Sequence, residues 1–374
     1  MEVKEYGIVT EEALAKLRSK IGKEMKINYA PYVTEINKDA IKTWAEGIGD
    51  LNPLWTDKEY AEKTKWGGLI APPTILYATD RLSIGYRGGL PGVHSFFAGS
   101  NWDFRLPIKV GSKIDVKIVF KDIIEHKSKF GGRSFQEIST VTFTNEKNEV
   151  VATADSWGMR IERKAAQEKD KYKKEKVEPK VYTKEEIQEI MSLYEREYIR
   201  GADKLYWEDV EIGQEVPSII RGPYTLTCVV AFEQAWGGIF VRAHGHWYKW
   251  LKKHPAGGLF NELGIPEPPE AVHYDKSIAN KAGIPDCYDY GPERIAWIGS
   301  MLTNWIGDDG FLKKLNVQVR RHNMLGDLTT CKGKVINKSI LNNEHQVECE
   351  VNCVNQDGYV TAKGTVVVIL PSKG

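Results

Sequence analysis

The spacing of hydrophobic residues changes along this chain, and each spacing predicts a type of element. Apolar and polar residues alternate through Ile114–Phe120 and Val347–Val354, as in strands with one buried face. Ahead of the strands, each half has a strongly apolar stretch that begins at a proline, Pro73 in the first half and Pro292 in the second. Proline fits the first turn of a helix, and a helix that is apolar all round must be buried. Each half is therefore predicted to hold one buried helix followed by about four antiparallel strands.

The second half of the chain repeats the first. The spacing Asp57–Ala61 recurs 218 residues later as Asp275–Ala279, and Gly111 recurs 215 residues later as Gly326. Each of these glycines precedes a tail rich in strands, and Asp357-Gly358 in the second tail favours a hairpin turn. The same order and spacing over about fifty residues indicate an internal duplication.

A charged stretch separates the two halves. Residues 163–176 interleave basic and acidic side chains with almost no large aliphatic ones, so they cannot bury enough surface to form a core element. Further on, Thr183 and Glu186 have the spacing of a capping box at the start of a short amphipathic helix. We predict an N-terminal domain over residues 1–163, a charged linker with a short helix over residues 164–200, and a C-terminal domain over residues 201–374.

Composition excludes several classes of protein. The chain has 52 lysines and arginines against 51 aspartates and glutamates, and a net charge of +1 gives little field to hold a nucleic acid. No apolar run reaches the roughly 20 residues that cross a bilayer, and the first residues lack the apolar core of a signal peptide. The five cysteines are odd in number and form no disulfide framework. These features predict a cytoplasmic protein that binds neither nucleic acid nor membrane.

Motifs in both halves resemble one known superfamily. Asp50-Leu-Asn52-Pro followed by Gly67–Pro73 resembles the N-terminal domain of MaoC-like acyl dehydratases of the fatty-acid-synthase type. Pro269–Asp275 followed by Tyr290-Gly291 resembles the hydratase-2 motif of the same superfamily. Together with the duplication, the resemblance predicts an α+β double hot dog, in which two antiparallel sheets each wrap round a buried helix. It implies a hydro-lyase that adds or removes water at the double bond of a 2-enoyl-CoA thioester, with no cofactor and no metal.

Neither half keeps the complete motif, which pairs an aspartate with a histidine five residues later. The first half retains Asp50 but has Trp55 at the histidine position, and an Asx-Pro turn commonly uses its carboxylate to cap local backbone N–H groups. The second half retains His273 but has Pro268 at the aspartate position. We therefore expect the N-terminal domain to be non-catalytic and the C-terminal domain to carry the candidate active site.

The resemblance assigns roles to residues of the second half. His273 would activate water, because imidazole exchanges protons near neutral pH. The N–H of Gly291, at the start of the buried helix, would bind the thioester oxygen, and Tyr290 would be an auxiliary donor. Glu270 or Glu267 would supply the missing carboxylate. The alternative for His273 is a packing role within its loop.

Further residues are expected to contact the substrate, an acyl-CoA thioester. Arg242 belongs to a basic cluster that could contact the phosphates of coenzyme A. His244 and His246 have a spacing that would suit a metal in an extended segment, but a third ligand is missing, and a polar loop over the site is the favoured interpretation. The remaining expected substrate contacts are Asp275, Asp50, Asn52 and Trp55.

Two other functions remain open at this stage. One is a non-catalytic scaffold subunit of a heteromeric hydratase or acyl-CoA complex, and the other is a hot-dog thioesterase. The expected assembly is a homo-oligomer or a heteromer with another hot-dog subunit.

Overall fold

The computed structural model describes residues 8–25, 32–80, 89–90, 93–127, 133–161, 179–238 and 240–374. The helices are α1 (Glu11–Arg18), α2 (Lys38–Ile48), α3 (Pro53–Thr56), α4 (Lys58–Glu62), α5 (Leu76–Thr79), α6 (Lys184–Glu195), α7 (Leu226–Trp236), α8 (His244–Lys253), α9 (Lys276–Lys281) and α10 (Gly291–Ile306). The strands are β1 (His94–Phe104), β2 (Asp115–Lys127), β3 (Arg133–Thr144), β4 (Val150–Ile161), β5 (Glu215–Arg221), β6 (Leu259–Phe260), β7 (Pro266–Glu267), β8 (Phe311–Val319), β9 (Thr329–Leu341), β10 (Glu344–Asn355) and β11 (Val360–Ile369). None of the described helices is long and apolar enough to span a membrane.

One continuous antiparallel sheet of nine strands runs through both halves, in the order β2-β3-β4-β1-β8-β11-β10-β9-β5. Strands β1 and β8 pair at the centre, where Trp102 lies opposite Leu315. Outward from this seam, the order β1-β4-β3-β2 matches the order β8-β11-β10-β9. The internal duplication is therefore confirmed, and the two predicted sheets are joined edge to edge.

The two buried helices differ in length. Helix α10 has 16 residues, and every residue from Pro292 to Ile306 is buried, as its apolar sequence predicts. In the first half, the helix that we expected to extend well beyond Pro73 consists of a 3-10 turn and α5, and it ends where Asp80 takes up an extended conformation. The later part of that expected helix lies outside the described residues. The sheet therefore packs mainly around one long helix.

Close packing of α2 on α7 joins the two halves on the other side of the core. A Cβ added at Gly47 would overlap the Cβ of Ala235 and lie 2.9 Å from the carbonyl oxygen of Ala231. Gly47 thus lets the two helices approach more closely than any residue with a side chain would allow. In the following loop, Gly49 ends α2 in the left-handed conformation, with φ of 70°.

Local sequence signals are realised at several points. Thr183 and Glu186 form the predicted capping box of α6, with hydrogen bonds of 3.2 and 2.8 Å. Gly358, with φ of 80°, lies in the predicted hairpin turn between β10 and β11. The thiols of Cys331 and Cys353 are fully buried on neighbouring strands, with their sulfur atoms 3.3 Å apart. The first part of the charged stretch, residues 162–178, lies outside the described residues.

Candidate active site at the amino end of the central helix

The amino end of α10 is held by a buried network. Tyr290 precedes the helix, and its backbone N–H donates to Glu293 Oε2 at 3.4 Å. The same oxygen accepts the hydroxyl of Tyr224 at 2.8 Å. Burial raises the pKa of Glu293 well above its usual value, and Asp289 adds to that effect. Gly291 begins the helix, where backbone N–H groups lack intrahelical partners and the positive end of the helix dipole lies.

A buried ion pair fixes the same end of α10. Arg294 Nε lies 2.7 Å from Asp289 Oδ2, and both side chains are at most 1% exposed. Asn323 Nδ2 donates to the same carboxylate at 2.7 Å. Burial raises the pKa of Asp289 to about 6, although Arg294 and Asn323 work in the opposite direction. The segment before α10 is therefore anchored to the sheet side of the core rather than left as a free loop.

His273 ends a 3-10 turn, Pro269–His273, directly beside this helix start. Its ring stacks on that of Tyr290, with ring centroids 3.7 Å apart. Its Nδ1 lies 2.8 Å from the backbone carbonyl oxygen of Tyr288. Because a carbonyl can only accept, Nδ1 must carry the hydrogen, and Nε2 is left as the basic nitrogen.

The surroundings of His273 favour the neutral imidazole. Burial lowers its pKa to about 3, the bond to the Tyr288 carbonyl opposes that change, and Arg294 adds to it. Among the residues that the structure describes, no carboxylate forms a hydrogen bond or an ion pair with this ring. Pro268, at the position where the hydratase-2 motif has an aspartate, supplies none. His273 is therefore unprotonated at neutral pH and has no acidic partner that would stabilise its protonated form.

Carboxylates do lie on the other side of Tyr290. The Tyr290 hydroxyl donates to Oε1 of Glu233, on α7. Glu270, only 7% exposed, accepts the backbone N–H of Phe240 at 2.5 Å. Burial and the charges of both glutamates raise the pKa of Tyr290 well above its usual value, so the phenol stays protonated. The sequence analysis missed Glu233, although it is the lone charged residue within the otherwise uncharged helix α7.

Two other expected residues have local structural contacts. Asp275 caps α9, where it accepts bonds from the N–H and the hydroxyl of Ser277 at 2.8 and 2.7 Å. Glu267 lies in the short strand β7, and burial together with the nearby Asp275 raises its pKa. Arg242 lies just before α8 and its guanidinium reaches the carbonyl of Val241 at 3.4 Å.

The segment after Arg242 differs from the expectation of a loop. His244–Lys253 is the helix α8, in which Trp247 and Trp250 stack with ring centroids 5.3 Å apart. Residues two apart on a helix point in different directions, so His244 and His246 do not share a face as they would in an extended segment. No group of three or more potential metal ligands occurs in the parts of the chain that the structure describes.

The residues expected from the first half lie at the opposite end of α10. Asp50 is 5% exposed, and its Oδ1 accepts the N–H of Asn52 at 3.0 Å. Asn52 caps α3 and its amide donates to Asn304 Oδ1 at 3.0 Å. At a rise of about 1.5 Å per residue, Asn304 is about 20 Å from Gly291 along the helix. Asp50, Asn52 and Trp55 therefore do not join His273 in one site, contrary to the expectation that they contact the same substrate.

Comparisons with known proteins can be set against this geometry. Residues 21–154 match the family model described as "FAS1-like, dehydratase domain region". A 3-hydroxybutyryl-CoA dehydratase from Methylorubrum extorquens is 28% identical over 93 residues, which are 25% of this chain and 58% of that protein. The chain spans between 58% and 64% of the length of the first three curated relatives it matches.

Solved structures resemble nearly the whole chain. A MaoC-like dehydratase superposes with a TM-score of 0.65 at 17% identity and covers 96% of this chain and 100% of its own. A conserved hypothetical protein from Mycobacterium tuberculosis, described as a double hot-dog fold, superposes with a TM-score of 0.53 at 10% identity, covering 94% and 96%. The chain is thus a double hot-dog protein with the fold of MaoC-like dehydratases, and its residues 21–154 match the FAS1-like dehydratase region.

Proposed function

We propose that this chain adds water to, or removes it from, the double bond of a 2-enoyl-CoA thioester at the amino end of α10. The observation that carries the proposal is the position of His273, whose neutral ring stacks on the residue preceding Gly291. A basic nitrogen and the first N–H groups of a buried helix thus meet in one place. These are the two groups that enoyl hydration needs, a proton acceptor and an oxyanion donor.

In the direction of hydration, Nε2 of His273 takes a proton from water while the water oxygen forms its bond to C3. The electrons of the double bond move toward the thioester carbonyl, whose oxygen gains negative charge and accepts a hydrogen bond from Gly291. The proton on Nε2 is then delivered to C2, which completes the addition and restores the neutral imidazole. Dehydration follows the same steps in reverse.

Tyr290 contributes differently from our initial expectation of an auxiliary donor. Its one hydroxyl hydrogen is donated to Glu233, so it can reach a substrate only if that bond is exchanged. We propose that its main effect is to position His273, because the two rings stack. Glu270, three residues before His273 in the same 3-10 turn, is the proposed carboxylate of the site.

A second candidate is a non-catalytic subunit of a heteromeric hydratase. Two observations favour it: burial lowers the pKa of His273 to about 3, and Pro268 occupies the position of the motif aspartate. An imidazole that is so reluctant to take a proton is a weak general base. In that case another hot-dog subunit would supply the complete aspartate–histidine pair, and this chain would supply scaffold.

The test is hydration of a panel of 2-enoyl-CoA thioesters of increasing acyl length by the purified chain, followed through the absorbance of the conjugated thioester. His273→Gln should lower kcat by about 100-fold to 10,000-fold, the usual contribution of general-base assistance. His126→Gln is the matched control, because His126 lies exposed on β2 and bonds only Gln136 among the described contacts. The control should leave kcat unchanged.

Other outcomes separate the alternatives. Activity that appears only when a second hot-dog subunit is added, and that survives His273→Gln, would support the scaffold candidate. Equal losses in the two histidine variants would contradict the assignment of His273. Release of free coenzyme A thiol without loss of the double bond would indicate a thioesterase and overturn both candidates.

A further inference from the structure

An apolar cleft lies at the carboxyl end of α10, away from the site proposed above. It encloses about 480 Å³, counting space open to solvent, which is within the usual range for small-molecule sites. The first-half motif loop forms one wall through Leu54 and Trp55, and the end of α10 forms another through Thr303 and Ile306. Thr303 is about 18 Å from Gly291 along the helix, at about 1.5 Å per residue. The cleft is therefore separate from the amino end of α10.

Trp55 carries the polar group that points to a ligand. Its side chain is 3% exposed and lines the cleft. Its indole Nε1 is buried and has no hydrogen-bond partner in the parts of the chain that the structure describes. A buried donor without a partner costs about 1 to 3 kcal/mol, which an acceptor on a bound molecule would recover.

Trp66 provides an internal comparison. It lines the same cleft, but its indole Nε1 donates to the carbonyl oxygen of Asp308 at 2.9 Å. The hydroxyl of Thr303 is likewise used, donating to the carbonyl oxygens of Gly299 and Ser300 at 3.1 Å. These lining groups are satisfied within the protein, whereas that of Trp55 is not.

The walls of the cleft also restrict the charge of the ligand. The described lining consists of uncharged residues. A carboxylate moved from water into such a wall would lose hydration without gaining a partner of opposite charge. A neutral molecule with one acceptor oxygen meets no such penalty.

We propose that this cleft is a second binding site, for a neutral and mostly apolar molecule that presents a carbonyl oxygen to the indole N–H of Trp55. Ketones, esters and thioesters of medium chain length have this chemistry. The proposal does not depend on the function proposed above, because it invokes neither His273 nor turnover.

The probe is octan-2-one, titrated into the full-length protein by calorimetry, with octanoate as the charged comparison. Octan-2-one should bind more tightly than octanoate. Trp55→Phe keeps an aromatic ring but removes the donor, so the Kd for octan-2-one should rise about 2-fold to 10-fold, the usual net worth of a neutral hydrogen bond. Trp66→Phe, the matched control, should leave Kd within about twofold, because it removes a donor already satisfied within the protein.

A spectroscopic readout tests the contact itself. The indole N–H resonance that is missing from Trp55→Phe should shift on addition of octan-2-one to the wild type, and the resonance missing from Trp66→Phe should not. If Trp55→Phe fails to fold, Trp55→Tyr provides the assignment. Binding should persist in His273→Gln.

Several results would overturn the proposal. These are no binding of octan-2-one to the wild type, tighter binding of octanoate, or equal weakening in both tryptophan variants. Loss of octan-2-one binding in His273→Gln would place the ligand at the amino end of α10 and would also refute a separate site.

Discussion

Restoring the missing carboxylate tests whether the surroundings of His273 limit its chemistry. Pro268 is buried, precedes the 3-10 turn that ends at His273, and occupies the position of the motif aspartate. Pro268→Asp would add an acidic group there. An opposite charge within about 4 to 6 Å favours the protonated imidazole by about 1 to 3 pKa units. From a starting value of about 3, the pKa of His273 should rise to between about 4 and 6.

The consequence for catalysis follows from the basicity of Nε2. Each unit of pKa is a tenfold change in proton affinity, worth about 1.4 kcal/mol, so enoyl-CoA hydration should speed up by at most about tenfold per unit gained. The matched control is Pro268→Asn, which has nearly the same shape and the same loss of the proline ring but no charge. It should leave both the pKa of His273 and kcat near the values of the wild type.

The assay follows the imidazole resonance of His273 against pH in the wild type and both variants, together with enoyl-CoA hydration. The reasoning fails if Pro268→Asp leaves the His273 titration unchanged while the protein remains folded. It fails equally if Pro268→Asn speeds hydration as much as Pro268→Asp, because the gain would then come from chain flexibility rather than charge.

Two further predictions concern stability. The folded pKa of His273, about 3, lies below its unfolded value of about 6.5, so unfolding takes up a proton and stability should fall by up to about 1.4 kcal/mol per unit as pH drops from 6.5 toward 3. His273→Gln should flatten this slope in urea unfolding, and parallel slopes would contradict it; the raised pKa of Asp289 acts in the opposite sense between about pH 4 and 6 and is common to both proteins. Gly47→Ala should lower the free energy of unfolding by about 1 to 3 kcal/mol, because its methyl group would overlap Ala235. Gly245→Ala on α8, with open space around its Cβ, should be neutral or stabilising by up to about 1 kcal/mol, and equal losses in the two variants would refute the overlap.

Sequence reasoning succeeded where the signal was local. The hairpin at Asp357-Gly358, the capping box at Thr183 and the buried helix α10 follow from residues within a few positions of each other. The strand order was also accessible in outline, because the duplication makes each half a copy of the other.

The errors arose where distant parts of the chain meet. The segment around His244 was expected to be a loop, but stacking of Trp247 on Trp250 and burial of Trp247 stabilise it as α8. Glu233 lies far from His273 in sequence, and only the approach of α7 to Tyr290 brings it to the site. Asp50 and His273 were grouped as parts of one motif, whereas the structure sets them at opposite ends of a 16-residue helix.

The seam between β1 and β8 has a consequence for how such a protein can change over evolutionary time. In a dimer of identical subunits, every substitution appears twice, so a residue that improves one site is imposed on its symmetric copy. Here both copies belong to a single chain, and a mutation near Trp55 leaves the surroundings of His273 untouched. Covalent fusion thus frees the two ends of α10 to evolve separately, while the pairing of β1 with β8 requires them to keep a common frame.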